Sequence, residues 1–185
     1  MTNAGQSNMD ARIREAKDRV QAGGRGALWW SVVSDLGFEF DEQPLVMSQL
    51  WHLLPADQRV VAISSAWPLA DPPGKFLPFR EWVEKFCDVG YISDERGWAT
   101  RATPPEQITL WRGGINANGL SWTADRNVVV AKFQHRFDPP GKLWTATVRA
   151  EHLLAHFNVV HRSGEDEYVV DPAGLDPTEV PAVGG

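Results

Sequence analysis

The sequence predicts an α+β fold, with helices first and strands after. Before about residue 100, apolar residues recur at helical spacing between proline and glycine stops. After Arg101 the texture changes to short β-branched and aromatic runs separated by turns. Strands gathered apart from the helices are the mark of an α+β domain.

Taking the elements in order, residues 1–26 read as an N-terminal tail and helix. Met1 to Asn8 are small and polar, MDARIREAKDRVQ has helical propensity with Ile13 and Val20 as its strong apolar anchors, and GGRG at Gly23 to Gly26 ends it. So few anchors predict loose docking. Residues 27–100 read as a helical lobe. Pro44 through Leu54 gives an apolar face, Pro55-Ala56-Asp57 opens a second helix to about Trp67, and DPPGK at Asp71 to Lys75 is a turn. Pro78 opens a third helix, FREWVEKFCDV, which Gly90 closes. Its Phe79, Trp82, Val83 and Phe86 fall at i, i+3, i+4 and i+7 and predict the packing stripe.

Residues 101–175 read as the β-rich core. Strands are expected at ITLWR (Ile108 to Arg112), LWTATVR (Leu143 to Arg149), FNVVH (Phe157 to His161) and EYVVD (Glu167 to Asp171). Two helices interrupt them, one from Ala124 to His135 capped by Thr123 with Asp125 in its first turn, the other AEHLLAH from Ala150 to His156. Residues 27–175 would form a single domain, and the proline- and glycine-rich residues 176–185 a flexible tail.

A chain of 185 residues supports one domain with a full core. Hydrophobic content of 43% and charged content of 23% are those of a globular protein. A net charge of -6 argues against broad phosphate neutralisation on nucleic acid, although local basic patches stay open. The lone Cys87 excludes an internal disulfide and a cysteine-based zinc cluster. With no signal-like leader and no long apolar run, the expectation is a cytoplasmic protein without a membrane partner. Nine Trp and eight Phe suit either a core filled by few large side chains or a cleft with stacking walls, and for any single Trp the core is favoured.

Three motifs carry chemistry. Arg112, at the end of a strand-like run, offers a fixed positive charge and a fork of donors that suits phosphate or ribose oxygens. Standing alone it reads as a surface ion pair. Ser121 and Thr123 lie on one side of an extended segment, with Trp122 facing the other way toward a core. Thr123 suits an N-cap equally well. Glu165 and Glu167 also share a side, and a fixed carboxylate stabilises the positive charge that develops on ribose when a glycosidic bond breaks. By itself GEDE is a solvated acidic turn. His152 and His156 stand four apart on the expected helix, but EHLLAH is not HExxH, and no metal is expected.

In their order and spacing ITLWRGG, GLSWT and SGEDEYVVDP resemble the arginine-serine-glutamate, cholera-toxin-like class of the mono-ADP-ribosyltransferase superfamily. The resemblance spans about Ile108 to Leu175. Arginine, not histidine, at position 112 favours this class over the histidine-tyrosine-glutamate branch. The resemblance implies a split antiparallel β-sandwich with NAD, as substrate, in a cleft beside the helical lobe. It implies that Arg112 grips the dinucleotide, Ser121 orients the catalytic Glu167, and Glu165 helps activate an acceptor. Gly113, Trp122 and Thr123 would complete the NAD site. Phe133 matches a position where an aromatic contacts the nicotinamide side, though its spacing from Val129 equally fits a core. The implied activity releases nicotinamide and transfers ADP-ribose to a macromolecule, most readily a protein arginine, with nucleic acid open as an acceptor. An NAD-glycohydrolase toxin, with or without a neutralising partner, and a non-catalytic binding module of the same fold are the alternatives.

Overall fold

A computed structural model describes residues 3–94, 98–129, 141–158 and 166–181. They form a mixed α+β structure with six helices and a mostly antiparallel sheet. The chain divides into two compact units, Met1–Trp82 and Val83–Gly185. The division falls earlier than the change of texture near residue 100, and residues 92–93 and 100–101 already belong to the sheet.

The first unit contains α1 (Asn3–Ala22), α2 (Trp29–Asp35), α3 (Gln43–Leu50), α4 (Ala56–Leu69) and the start of α5 (Phe79–Val89). Contrary to the expected loose docking, α1 buries Met9, Ile13, Ala16 and Val20, one stripe down the helix. Arg12 fastens it by donating to Glu42 Oε1 at 2.5 Å and to the Gly37 carbonyl at 2.8 Å. Met9 and Ala16 supply the anchoring that Ile13 and Val20 alone lacked. In α5 the expected stripe is shifted, since Trp82 and Phe86 are fully buried whereas Phe79 is 41% exposed. Phe79 is the first residue of its helix, where the stripe has run out. Trp82 instead packs edge-on against Trp67 with ring centroids 5.1 Å apart.

The second unit is built on eight strands: β1 (Ile92–Ser93), β2 (Thr100–Arg101), β3 (Gln107–Gly114), β4 (Ser121–Thr123), β5 (Lys142–Arg149), β6 (Leu153–Phe157), β7 (Glu167–Val170) and β8 (Thr178–Val180). Their order is β2-β1-β6-β7-β4-β3-β5-β8. Among the described residues β1 and β6 are the one parallel pair. Among the described residues the order runs on through β7 and β4 as one sheet.

Strand alternation sorts the side chains into two faces. One carries the cluster of Leu110, Trp122, Ala146, Val148, Leu153, Tyr168 and Val170. Ser121, Thr123, Glu167 and Val169 alternate with members of that cluster and point the other way. β6 and β7 are buried at every position, which requires near-continuous apolar runs rather than alternation.

Three expectations from sequence need correction. AEHLLAH is not a helix: Ala150–His152 make one 3₁₀ turn, and Leu153–Phe157 then run as β6 between β1 and β7. Pairing on both sides outweighs the helical propensity of Ala, Glu and Leu. The helix after SWT is α6 (Arg126–Val128), capped by Asp125, whose carboxylate accepts from the Asn127 amide at 2.8 Å. Thr123 sits one step earlier, its hydroxyl oxygen accepting from the Asp125 amide at 3.1 Å. Within 176–185, expected as a tail, β8 pairs with β5 and Glu179 meets Lys142 at 2.6 Å. Most of FNVVH and the rest of the helix expected to reach His135 lie outside the described residues.

Leu110 is fully buried in the cluster. Leu110→Ala is expected to cost about 2–5 kcal/mol of unfolding free energy, measured by chemical denaturation. A loss below about 1 kcal/mol would contradict this account of the core.

Candidate active site

Glu167 is the first residue of β7. Its register partners are Thr123 on β4 and Phe157 on β6, and Thr123 in turn faces Trp111 on β3. Directly opposed residues in antiparallel strands point the same way, so Trp111, Thr123, Glu167 and Phe157 form one row across the sheet. Ser121, two residues before Thr123, shares that face and lies diagonal to Glu167. Its hydroxyl donates to Glu167 Oε1 at 2.5 Å. Glu167 is only 6% exposed, and a carboxylate so buried needs such a donor.

Arg112 alternates with Trp111 and opposes Trp144, which sets it on the face of Trp122. Its Nη1 donates to the backbone carbonyl of Ser121 at 2.8 Å, and its Nε reaches the Asn116 carbonyl at a long 3.5 Å. Burial lowers the pKa of the guanidinium to about 10, and the negative charge of Glu167 opposes that shift. At neutral pH Arg112 is therefore a cation. Ser121 thus joins the two charged groups, with its carbonyl on Arg112 and its hydroxyl on Glu167. The guanidinium that the sequence reading gives to a dinucleotide spends its best bond on the protein's own backbone.

Gly119 makes room for this arrangement. A Cβ built there would overlap Cζ, Nη1 and Nη2 of Arg112. The indole of Trp122 donates to the Gly119 carbonyl at 2.9 Å, holding the turn against the strand. Gly113 lies in β3 opposite Leu143. Trp122 is buried in the core cluster, on the face opposite Ser121 and Glu167. Glu165 and Phe133 lie outside the described residues.

Sequence reading missed several neighbours. Trp111 shares the Glu167 row and carries the Arg126 guanidinium 5.6 Å from its ring centre. Counting outward from Glu167 along the period-2 pattern would have flagged it only once the strand pairing was known. His156 and Asp166 also touch, and His156 stacks on Tyr168. The helical His152/His156 pairing does not exist, because the two histidines lie on a 3₁₀ turn and on β6.

No family model, curated protein or solved structure matched the chain. A buried carboxylate, oriented by a hydroxyl and balanced by a nearby cation, can stabilise a cationic transition state or accept a proton.

Gly119→Ala should drive the Arg112 guanidinium off the Ser121 carbonyl. The loss of a charge-assisted bond predicts a cost of about 1–3 kcal/mol in chemical denaturation. In an Arg112→Ala background the same Gly119→Ala change should cost little more, since the clash is gone. Equal costs in both backgrounds would show that the guanidinium does not occupy this seat.

Proposed function

We propose that the chain is a mono-ADP-ribosyltransferase that cleaves NAD and transfers ADP-ribose to a macromolecule. The observation that carries this reading is the Ser121 hydroxyl bonded to the buried Glu167 carboxylate, with Arg112 held on the carbonyl of the same serine. The arginine, serine and glutamate that resemble the family in sequence are thus linked through Ser121, its hydroxyl on Glu167 and its backbone carbonyl on Arg112, which β3 carries on the Trp122 face.

In this reading the bond between nicotinamide and C1′ of ribose breaks and its electron pair leaves with the nicotinamide nitrogen. The ribosyl group left behind is oxocarbenium-like, and Glu167 opposes its positive charge. Ser121 keeps the carboxylate oxygen from rotating away, and Arg112 keeps the Ser121 backbone in place. An acceptor lone pair then forms the new bond at C1′, and the acceptor gives up a proton. Assignment of that proton to Glu165, and of the acceptor to a protein arginine, rests on the sequence motif alone.

Glu167→Gln preserves shape and removes the charge. Nicotinamide release should fall on the order of a hundredfold or more while NAD binding, followed by calorimetry, persists. Near wild-type turnover would take Glu167 out of the mechanism.

Glu165→Gln should suppress transfer to protein far more than hydrolysis of NAD, because only transfer requires the acceptor to lose its proton. The check is mass spectrometry of a lysate treated with the protein and labelled NAD, in protease- and nuclease-digested portions. ADP-ribose on nucleobases or on side chains other than arginine would refute the arginine acceptor and leave the transferase reading standing. Nicotinamide release with no labelled macromolecule would mark a glycohydrolase.

A further inference from the structure

Glu167 occupies an exposed structural position in one sense, although its side chain is buried. It is the first residue of β7, and its pairing with Phe157 is the last registered pair of the β6–β7 ladder at that end. Strand ends fray, because the residue beyond them has no ladder bond to hold it. Glu167 itself is paired on both sides, with Phe157 and with Thr123 of β4, so among the described residues the position next to it that lacks a registered partner is Asp166.

The tie between β7 and β6 lies just outside the last pair. Asp166, immediately before Glu167, contacts His156 Nε2 through Oδ1. A carboxylate only accepts, so Nε2 carries the proton. His156 is 6% exposed and stacks on its cross-strand partner Tyr168 with ring centres 4.1 Å apart and planes within 12°. The imidazole is thus fixed on both its face and its edge. β6 is itself anchored at this end: the Asp94 amide donates to the His156 carbonyl at 3.2 Å, and the Asn158 amide donates to Asp94 Oδ1 at 2.6 Å. Asp166, His156 and Tyr168 share the face away from Ser121 and Glu167, so the contact leaves the Glu167 face clear.

We propose that His156 and Asp166 are a positioning pair for Glu167, tying β7 to β6 one residue beyond the last registered pair of their ladder so that the Glu167 carboxylate stays aimed at Ser121. The pair acts on Glu167 through the backbone of residue 166. Its consequence for catalysis rests on the transferase reading; its effect on the Glu167 carboxylate does not.

The test uses three variants of the full chain. His156→Phe keeps a flat ring against Tyr168 and the charge of Asp166 but removes the donor. Asp166→Ala removes the acceptor at a side chain that is 37% exposed, where folding tolerates the change. Asp166→Asn removes the charge and keeps an acceptor oxygen. The side-chain carboxyl ¹³C resonance of Glu167, assigned by its loss in Glu167→Gln, reports the carboxylate directly, and nicotinamide release reports turnover.

His156→Phe and Asp166→Ala should each move the Glu167 resonance and lower kcat about tenfold with KM for NAD near wild type, the double variant being no worse than either single. Asp166→Asn should stay close to wild type in both readouts. A Glu167 resonance unchanged in both His156→Phe and Asp166→Ala overturns the proposal, whatever happens to melting temperature. So does a resonance that moves as far in Asp166→Asn as in Asp166→Ala while staying put in His156→Phe, since the cause is then charge alone. If wild-type protein releases no nicotinamide while the resonance responds as expected, the transferase reading falls and the positioning pair stands.

Discussion

Everything at the site depends on Ser121 serving two charged groups at once. Its carbonyl receives Arg112 and its hydroxyl is given to Glu167. Burying either ion alone is costly, and removing one member of such a set leaves the other uncompensated. The field of Glu167 helps to keep Arg112 charged against the cost of burial. The serine sets their separation, because both contacts run through a single residue of a three-residue strand.

That arrangement is a consequence of register. β4 is hydrogen-bonded to β3 on one side and β7 on the other, with Thr123 opposite both Trp111 and Glu167. A slip of one residue would turn Ser121 toward the core and expel Trp122 from it. Trp122 opposes such a slip, since it fills the core cluster and bonds to the Gly119 carbonyl. The same glycine leaves room for the Arg112 guanidinium. Core packing and site geometry are therefore set by the same few residues.

The sequence made the gross plan legible where local signals and tertiary context agree. Proline starts and glycine stops located α4 and α5, and the β-branched runs located β3, β5 and β7. It misled where context overrides propensity. The run Leu153–Phe157 is rich in helix formers, yet it is a strand because both its edges are paired. β1, β2 and β8 went unread because two or three residues carry no periodicity. At the site, Arg112, Ser121 and Glu167 stood out by residue type and order. Gly119 did not, because its role is steric and depends on a side chain that folds back over it. Asp166 was hidden for a similar reason: inside an acidic triplet it reads as solvated, and only the strand pairing brings His156 to it.

The central claim is that this buried, serine-oriented carboxylate works on the glycosidic bond of NAD. The most direct measurement incubates wild-type protein with NAD labelled separately in nicotinamide and in adenylate, and follows both labels. The account predicts free nicotinamide together with adenylate label on macromolecules. Recovery of NAD intact at protein concentrations that bind it, or failure to bind it at all, would contradict the account.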